Sequence, residues 1–245
     1  MEAVMNKKIW IFLMLVSLAA TGAVAAMMRP VPAATFIKMT RDRAAMQNSF
    51  ADMRGKVTHF KRNSGGAVSY PVRFVIRFGK EKVQARLQIN NNEVHDFEKT
   101  LSTGQSRVAT NNKSNNLLHS LGFRIEELAM NFLEYPVHME LPGDRYKSLN
   151  CRVLLLRSPD DKPIKVWIAS EYLFPMRAEF YDSIRNINGK PERTMEITSF
   201  KKTGEYYVAT DIALLSADFR SRISFSECNA MSADSPQALA QFPQN

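Results

Sequence analysis

Four histidines and two cysteines are the whole supply of imidazole and thiol groups in this 245-residue chain, and that scarcity excludes a good deal of chemistry. His59, His95, His119 and His138 are far apart and lack HExxH-type spacing, so no metal site is expected. Neither Cys151 nor Cys228 stands in a recognisable relation to a histidine, which removes a cysteine nucleophile. A GxSxG elbow is missing too. Ser64-Gly65-Gly66 sits among Lys61, Arg62 and Asn63 and reads as a hairpin turn. Asp160 and Asp161, flanked by Pro159 and Pro163, are explained by a turn, and Glu126 and Glu127 by the start of a helix, where negative charge is favoured. No enzyme and no cofactor is expected. Beyond residue 28 there is no apolar run of bilayer-spanning length.

What the chain has instead is alternation. Side chains in a strand point to opposite faces in turn, so apolar residues at every second position mark a half-buried strand. Phe74, Ile76 and Phe78 alternate with Arg73 and Arg77, and Leu87 and Ile89 with Arg86 and Gln88. Val153 and Leu155 oppose Arg152, while Val166 and Ile168 oppose Lys165 and Trp167. Phe180 follows Met176 and Ala178, and Ile197 follows Met195; Leu214, Ile223 and Phe225 close the series against Arg220, Arg222 and Ser224. Weaker strands are expected over Arg54–Arg62 and Asp96–Ala109, and Asn90 to Asn92 has the chemistry of a turn. The expected fold is mainly β with some α: a curved antiparallel sheet or incomplete β-barrel of about 8 to 11 strands, covered by two or more helices.

Two stretches carry helical spacing. Leu121, Ile125, Leu128 and Phe132 fall on one stripe that Pro136 ends, and Phe36, Met39, Met46, Phe50 and Met53 predict a helix over 36–53. Burying each large apolar side chain is worth about 1.5–3 kcal/mol, so both stripes should lie on the apolar face of the sheet.

The N-terminus has the build of an export signal: Lys7 and Lys8, an apolar run from Ile9 to Leu18, and Ala23-Val24-Ala25 as a cleavage site. The expected organisation is a signal over 1–26, a linker over 27–34, one domain over 35–228 and a flexible tail over 229–245. Periplasmic export follows, with an uncleaved inner-membrane anchor as the alternative because Ile9 to Met28 could span a bilayer. In an oxidising compartment Cys151 and Cys228 either pair or stay as small buried hydrophobes. The formal charge is +9. Export makes nucleic acid a poor partner and anionic head groups or an acidic protein better ones, although arginines that merely solvate the outer face would explain the charge as well.

The exported chain, its N-terminal helix and its strands together resemble the LolA/LolB-like superfamily of outer-membrane lipoprotein-sorting proteins. The most specific part is KVWIASEYLFPMRAEFYDSIRNINGKPERTMEITSF, Lys165 to Phe200, with Pro175, Arg177 and Glu179 as a P-x-R-x-E strand. The resemblance implies a half-barrel whose apolar interior takes up acyl chains of lipids or lipoproteins for sorting to the outer membrane. The eighteen apolar residues Phe74 to Phe225 of the strands and of the Leu121 stripe would then line the cavity. The implied protein is a monomeric carrier, touching the membrane at most peripherally. The alternative is a non-enzymatic envelope interaction or sensor protein of the same fold that docks a protein partner.

Overall fold

The computed structural model describes residues 31–46, 48–62, 65–111 and 116–242. The expected export signal lies outside them. Five strands, β1 (Ser49–Lys61), β2 (Ala67–Phe78), β3 (Lys82–Ile89), β4 (Glu93–Thr100) and β5 (Ser106–Thr110), form one antiparallel meander. Seven more form a second: β6 (Val137–Tyr146), β7 (Leu149–Arg157), β8 (Pro163–Ala169), β9 (Phe174–Phe180), β10 (Arg193–Thr203), β11 (Tyr206–Ser216) and β12 (Phe219–Ser232). Pairing of β1 with β12 joins them into one curved, open sheet of 12 strands. That exceeds the expected 8 to 11 because β6, largely exposed, has no alternation to read, and because residues 96–109 supply parts of two strands.

Turn chemistry behaves as expected. Asn90 and Asn91 adopt φ of 50° and 60° between β3 and β4, a left-handed conformation that asparagine tolerates. At the seam, the β1–β12 register shifts between Arg54 and Gly55. A Cβ at Gly55 would stand 2.0 Å from the Ser224 carbonyl oxygen, so glycine is what lets the bulged strand bend against its neighbour.

The segment between β5 and β6 must travel from one edge of the sheet to the other, and it does so across the apolar inner face. It holds two single-turn helices, α2 (Leu117–Ser120) and α3 (Ile125–Leu128), and a 3₁₀ turn over Asn131–Glu134. The expected continuous helix is broken at Gly122 (φ 87°) and at Met130 (φ 59°), but its stripe survives: Leu121, Ile125, Leu128 and Phe132 are all buried against the sheet. The N-terminal helix, α1, runs Ala33–Met46, with Phe36, Ile37 and Thr40 buried. It stops before Asn48 (φ 41°), and Phe50 and Met53 belong to β1 instead of the helix. Their three-residue spacing suits a helix, but in β1 it sends Phe50 outward and Met53 inward, and ladder bonds to β2 and β12 hold the strand.

The C-terminal segment is a further correction. β12 continues to Ser232, and the helix α4 (Pro236–Gln241), capped by Ser235 Oγ accepting from Ala238 N–H, packs on the outer face. Ala238 and Phe242 are buried there with Phe50 and Val75. The anchor is Arg77, whose Nε–H donates to the Ala233 carbonyl at 2.9 Å.

Candidate functional site

The inner face gathers Met53 of β1, Phe74 and Ile76 of β2, Leu87 and Ile89 of β3, Ile164, Val166 and Ile168 of β8, Phe180 of β9, and Ile212, Leu214, Ile223 and Phe225 of β11 and β12 into one cluster under the crossover and α1. Phe78 packs at its margin, and Ile197, opposite Ile212 in the ladder, shares the face. Val153 does not belong to it. Strand β7 is apolar without interruption from Val153 to Leu156, so its period could not reveal which side faces in; Leu154 and Leu156 do. Val153 packs with Cys151, Trp167, Ala169 and Met176 on the outer face, and Leu155, of the same parity, points that way too. Both residues are therefore withdrawn from the inner lining.

Cys151 and Cys228 are free and buried, one in each cluster. Five strand spacings separate β12 from β7, about 24 Å along the sheet at about 4.8 Å each. A disulfide tolerates about 7 Å between Cα atoms, so the two do not pair. Burial raises the pKa of both thiols.

The cover is tethered to the sheet by polar contacts that the sequence did not disclose. Arg193 of β10 grips the Glu127 carboxylate of α3 with both terminal nitrogens, one at 2.6 Å, and lies 4.2 Å from the centre of the Phe180 ring. Glu134 accepts from Arg41 of α1 at 3.0 Å and pairs with Lys99 of β4. Arg152, on the inner face of β7, sits 4.3 Å over the Phe36 ring of α1. Glu93, buried on β4, accepts from the N–H groups of Leu117 and Leu118 at 2.8 and 2.9 Å and meets His95 Nε2 at 2.6 Å. Burial works to raise its pKa, but the bonds from Leu118, His95 and Leu117 outweigh that and hold the carboxyl below its ordinary range.

One buried pair looks like a nucleophile and its base. His59 Nδ1 is 2.8 Å from Ser221 Oγ, and that hydroxyl donates to the Leu121 carbonyl at 2.6 Å. With the serine proton committed to Leu121, His59 donates from Nδ1 and leaves Nε2 bare, without a partner. Burial first, and then the Lys61 charge, keep the imidazole pKa below its usual value. Ser221 is fully buried, so the arrangement anchors the crossover and offers a substrate nothing.

Between α1, the crossover and the sheet runs an apolar cleft of about 110 Å³. Phe74, Ile76 and Phe78 line it from β2, Leu128, Met130 and Leu133 from the crossover, and Val208, Ile212 and Ala230 from β11 and β12. Of the eighteen expected lining residues, Phe74, Ile76, Phe78 and Leu128 reach it; Leu121, Ile125 and Phe132 belong to the cover, Val153 and Leu155 face outward, and the rest fill the core. The cleft opens where the sheet comes apart. The β11–β12 ladder spans Asp211–Leu215 against Arg220–Ser224, and beyond it Tyr206 to Ala209 and Ala230 border the opening. A larger groove, about 690 Å³, lies on the outer face beside α4. It is polar, and its charges answer one another, Lys82 with Glu98 and Arg86 with Asp96, so it reads as a solvated surface.

No protein-family model matches the sequence, and no curated protein does. Solved structures match by shape. An outer membrane lipoprotein-sorting protein domain from Vibrio parahaemolyticus superposes with a TM-score of 0.60 at 13% identity, over 84% of this chain and 95% of that one. A LolA superfamily protein from Nitrosomonas europaea gives 0.55 at 15%, over 86% and 97%. A DUF1329 family protein from Desulfovibrio piger gives 0.54 at 12%, over 83% and 96%. The chain has the LolA-like fold.

Proposed function

We propose that this LolA-like fold serves as a non-enzymatic carrier in the cell envelope, taking the acyl chain of a lipid or lipoprotein against the inner face of its sheet for sorting to the outer membrane. The observation that carries the reading is the apolar cleft at the parting of β11 and β12, roofed by a segment that belongs to neither strand. At about 110 Å³ it is smaller than the roughly 300 Å³ at which ligand sites usually begin. Binding therefore requires the cover to move. The cover is suited to that, since its ties to the sheet are side-chain contacts at Arg193, Glu93, Lys99 and Arg152 instead of a strand ladder. Each methylene buried contributes about 0.8 kcal/mol, so a long chain can replace the cover's own apolar contacts with its own. Export through residues 1–26 would place the carrier in the periplasm, with no nucleic acid as partner.

The test is mass spectrometry of organic extracts from protein purified out of its native envelope. Stoichiometric lipid supports the carrier; empty extracts together with no saturable uptake of a fluorescent fatty acid count against it.

The close filling of the inner face favours a second reading, an interaction protein of the same fold that docks a protein partner. The edge strands β5 and β6, both largely exposed, are where an added strand would pair. Leu128→Ala separates the two. It destabilises by about 2–5 kcal/mol in either case, but raises fatty-acid uptake only if the cleft is the binding site.

A further inference from the structure

The mouth of the cleft is bordered by exposed aromatic side chains. Tyr172, in the β8–β9 turn, is 55% exposed and Tyr207, at the start of β11, is 68% exposed, and both border the opening with Tyr206. Phe200 of β10, also exposed, sets its ring edge-on against Phe174 of the same border, 5.1 Å between centres. Large aromatic rings left in water at the rim of an apolar cleft are not core residues displaced by accident, since the neighbouring Leu173 and Val208 are turned inward against the core.

Cations gather beside these rings. On the outer face several arginines meet carboxylates, Arg73 with Asp52, Arg86 with Asp96 and Arg222 with Asp211, while Arg54 and Arg220 make no ion pair among the described residues. At the mouth, Arg43 of α1 lines the cleft, while Lys201 and Lys202 stand opposite Val208 and Tyr207 in the β10–β11 ladder. None of these three makes an ion pair among the described residues. The exposed Lys147 adds a fourth cation near β10, its Nζ donating to the Thr198 carbonyl at 3.1 Å. Two exposed carboxylates, Glu171 and Glu205, share these turns, so the rim keeps a positive balance.

Tyrosine presents an apolar body and a polar tip, and long basic side chains can lay their stems on apolar surface while the charge stays wet. Together they fit the boundary between head groups and acyl chains. We infer that this rim is a docking surface for an anionic lipid bilayer, which it meets with the mouth of the cleft turned toward the membrane. The surface stands on the rim's own composition and does not depend on what the cleft holds.

The experiment is cosedimentation of the full chain with vesicles of phosphatidylglycerol and phosphatidylethanolamine, against vesicles of phosphatidylcholine alone. Rim variants are compared with the parent, so that any contribution of residues 1–30 cancels. The parent should bind the anionic vesicles at least about tenfold more tightly, with binding weakened by salt. The combined charge reversal of Arg43, Lys201 and Lys202 to Glu should remove that preference, and Tyr172→Ser with Tyr207→Ser should weaken binding without lowering the melting temperature. Tryptophan placed by Tyr207→Trp should shift its emission to the blue and be quenched by lipids brominated on the acyl chain. The inference falls if charge reversal leaves binding unchanged, if the vesicles bind but the residue 207 reporter stays unquenched, or if no vesicle binds. Fatty-acid uptake measured on the same variants keeps the readings apart: lost vesicle binding with intact uptake supports the docking surface independently of the cleft, and unchanged vesicle binding with intact uptake rejects the docking surface alone.

Discussion

Arg193 and Glu127 show how a single pair can govern the molecule. Both are largely shielded from water, and truncating one partner of such a pair leaves the other charged and unpaired, at a cost of about 3–5 kcal/mol. Arg193→Ala should lower the unfolding free energy by that order in urea titration, and adding Glu127→Ala should restore part of it; fully additive losses would show that the two do not act together. His59 makes a pH prediction. Its folded pKa, like that of His119, lies below the ordinary histidine value. The unfolded chain therefore takes up protons first as pH falls, and stability, complete above about 6.5, declines below it. The urea midpoint should drop between pH 8 and pH 5.5, and His59→Asn should flatten the drop; a flat parent profile would contradict this. These residues were illegible in the sequence for a physical reason. Glu127 read as a helix-opening charge and His59 as one of four scattered histidines, because their partners, Arg193 and Ser221, lie 66 and 162 positions away.

Among the elements, those with a clean period of two were legible: β2, β3 and β8 show the faces their alternation dictates. Strand β7 was not, since Val153 to Leu156 is apolar on both faces and an outer cluster around Trp167 needed half of it. The stripe from Leu121 to Leu133 was read correctly as a buried surface but wrongly as one helix. Helical spacing reports which side chains share a face, and a chain broken at Gly122 and Met130 can still keep them there. The outer-face helix α4 escaped notice because six residues are too few for a period to show. The seam between the meanders offers a test. Gly55→Ala would push a Cβ into the backbone of β12, and a loss of about 1–3 kcal/mol is expected in the denaturant midpoint. Wild-type stability in that variant would mean the bulge is not a tight contact.

For the molecule as a whole, the topology explains why a small cleft occurs at all. Two meanders meet through their first and last strands, so their far edges, β5 and β6, are left for one crossover to connect. That crossover is obliged to roof the inner face, and the roof is held by side chains. The carrier requires a sheet with a detachable roof, and covalent mapping of a guest shows whether the roof gives way. A fatty acid carrying a photoreactive diazirine near its end, bound to saturation, irradiated and located by peptide mass spectrometry, should label β2 around Phe74 to Phe78 and the crossover around Leu128 to Leu133. Saturable labelling confined to the outer cluster of Trp167 and Met176, or none that competes with unlabelled fatty acid, would rule out a guest beneath the roof.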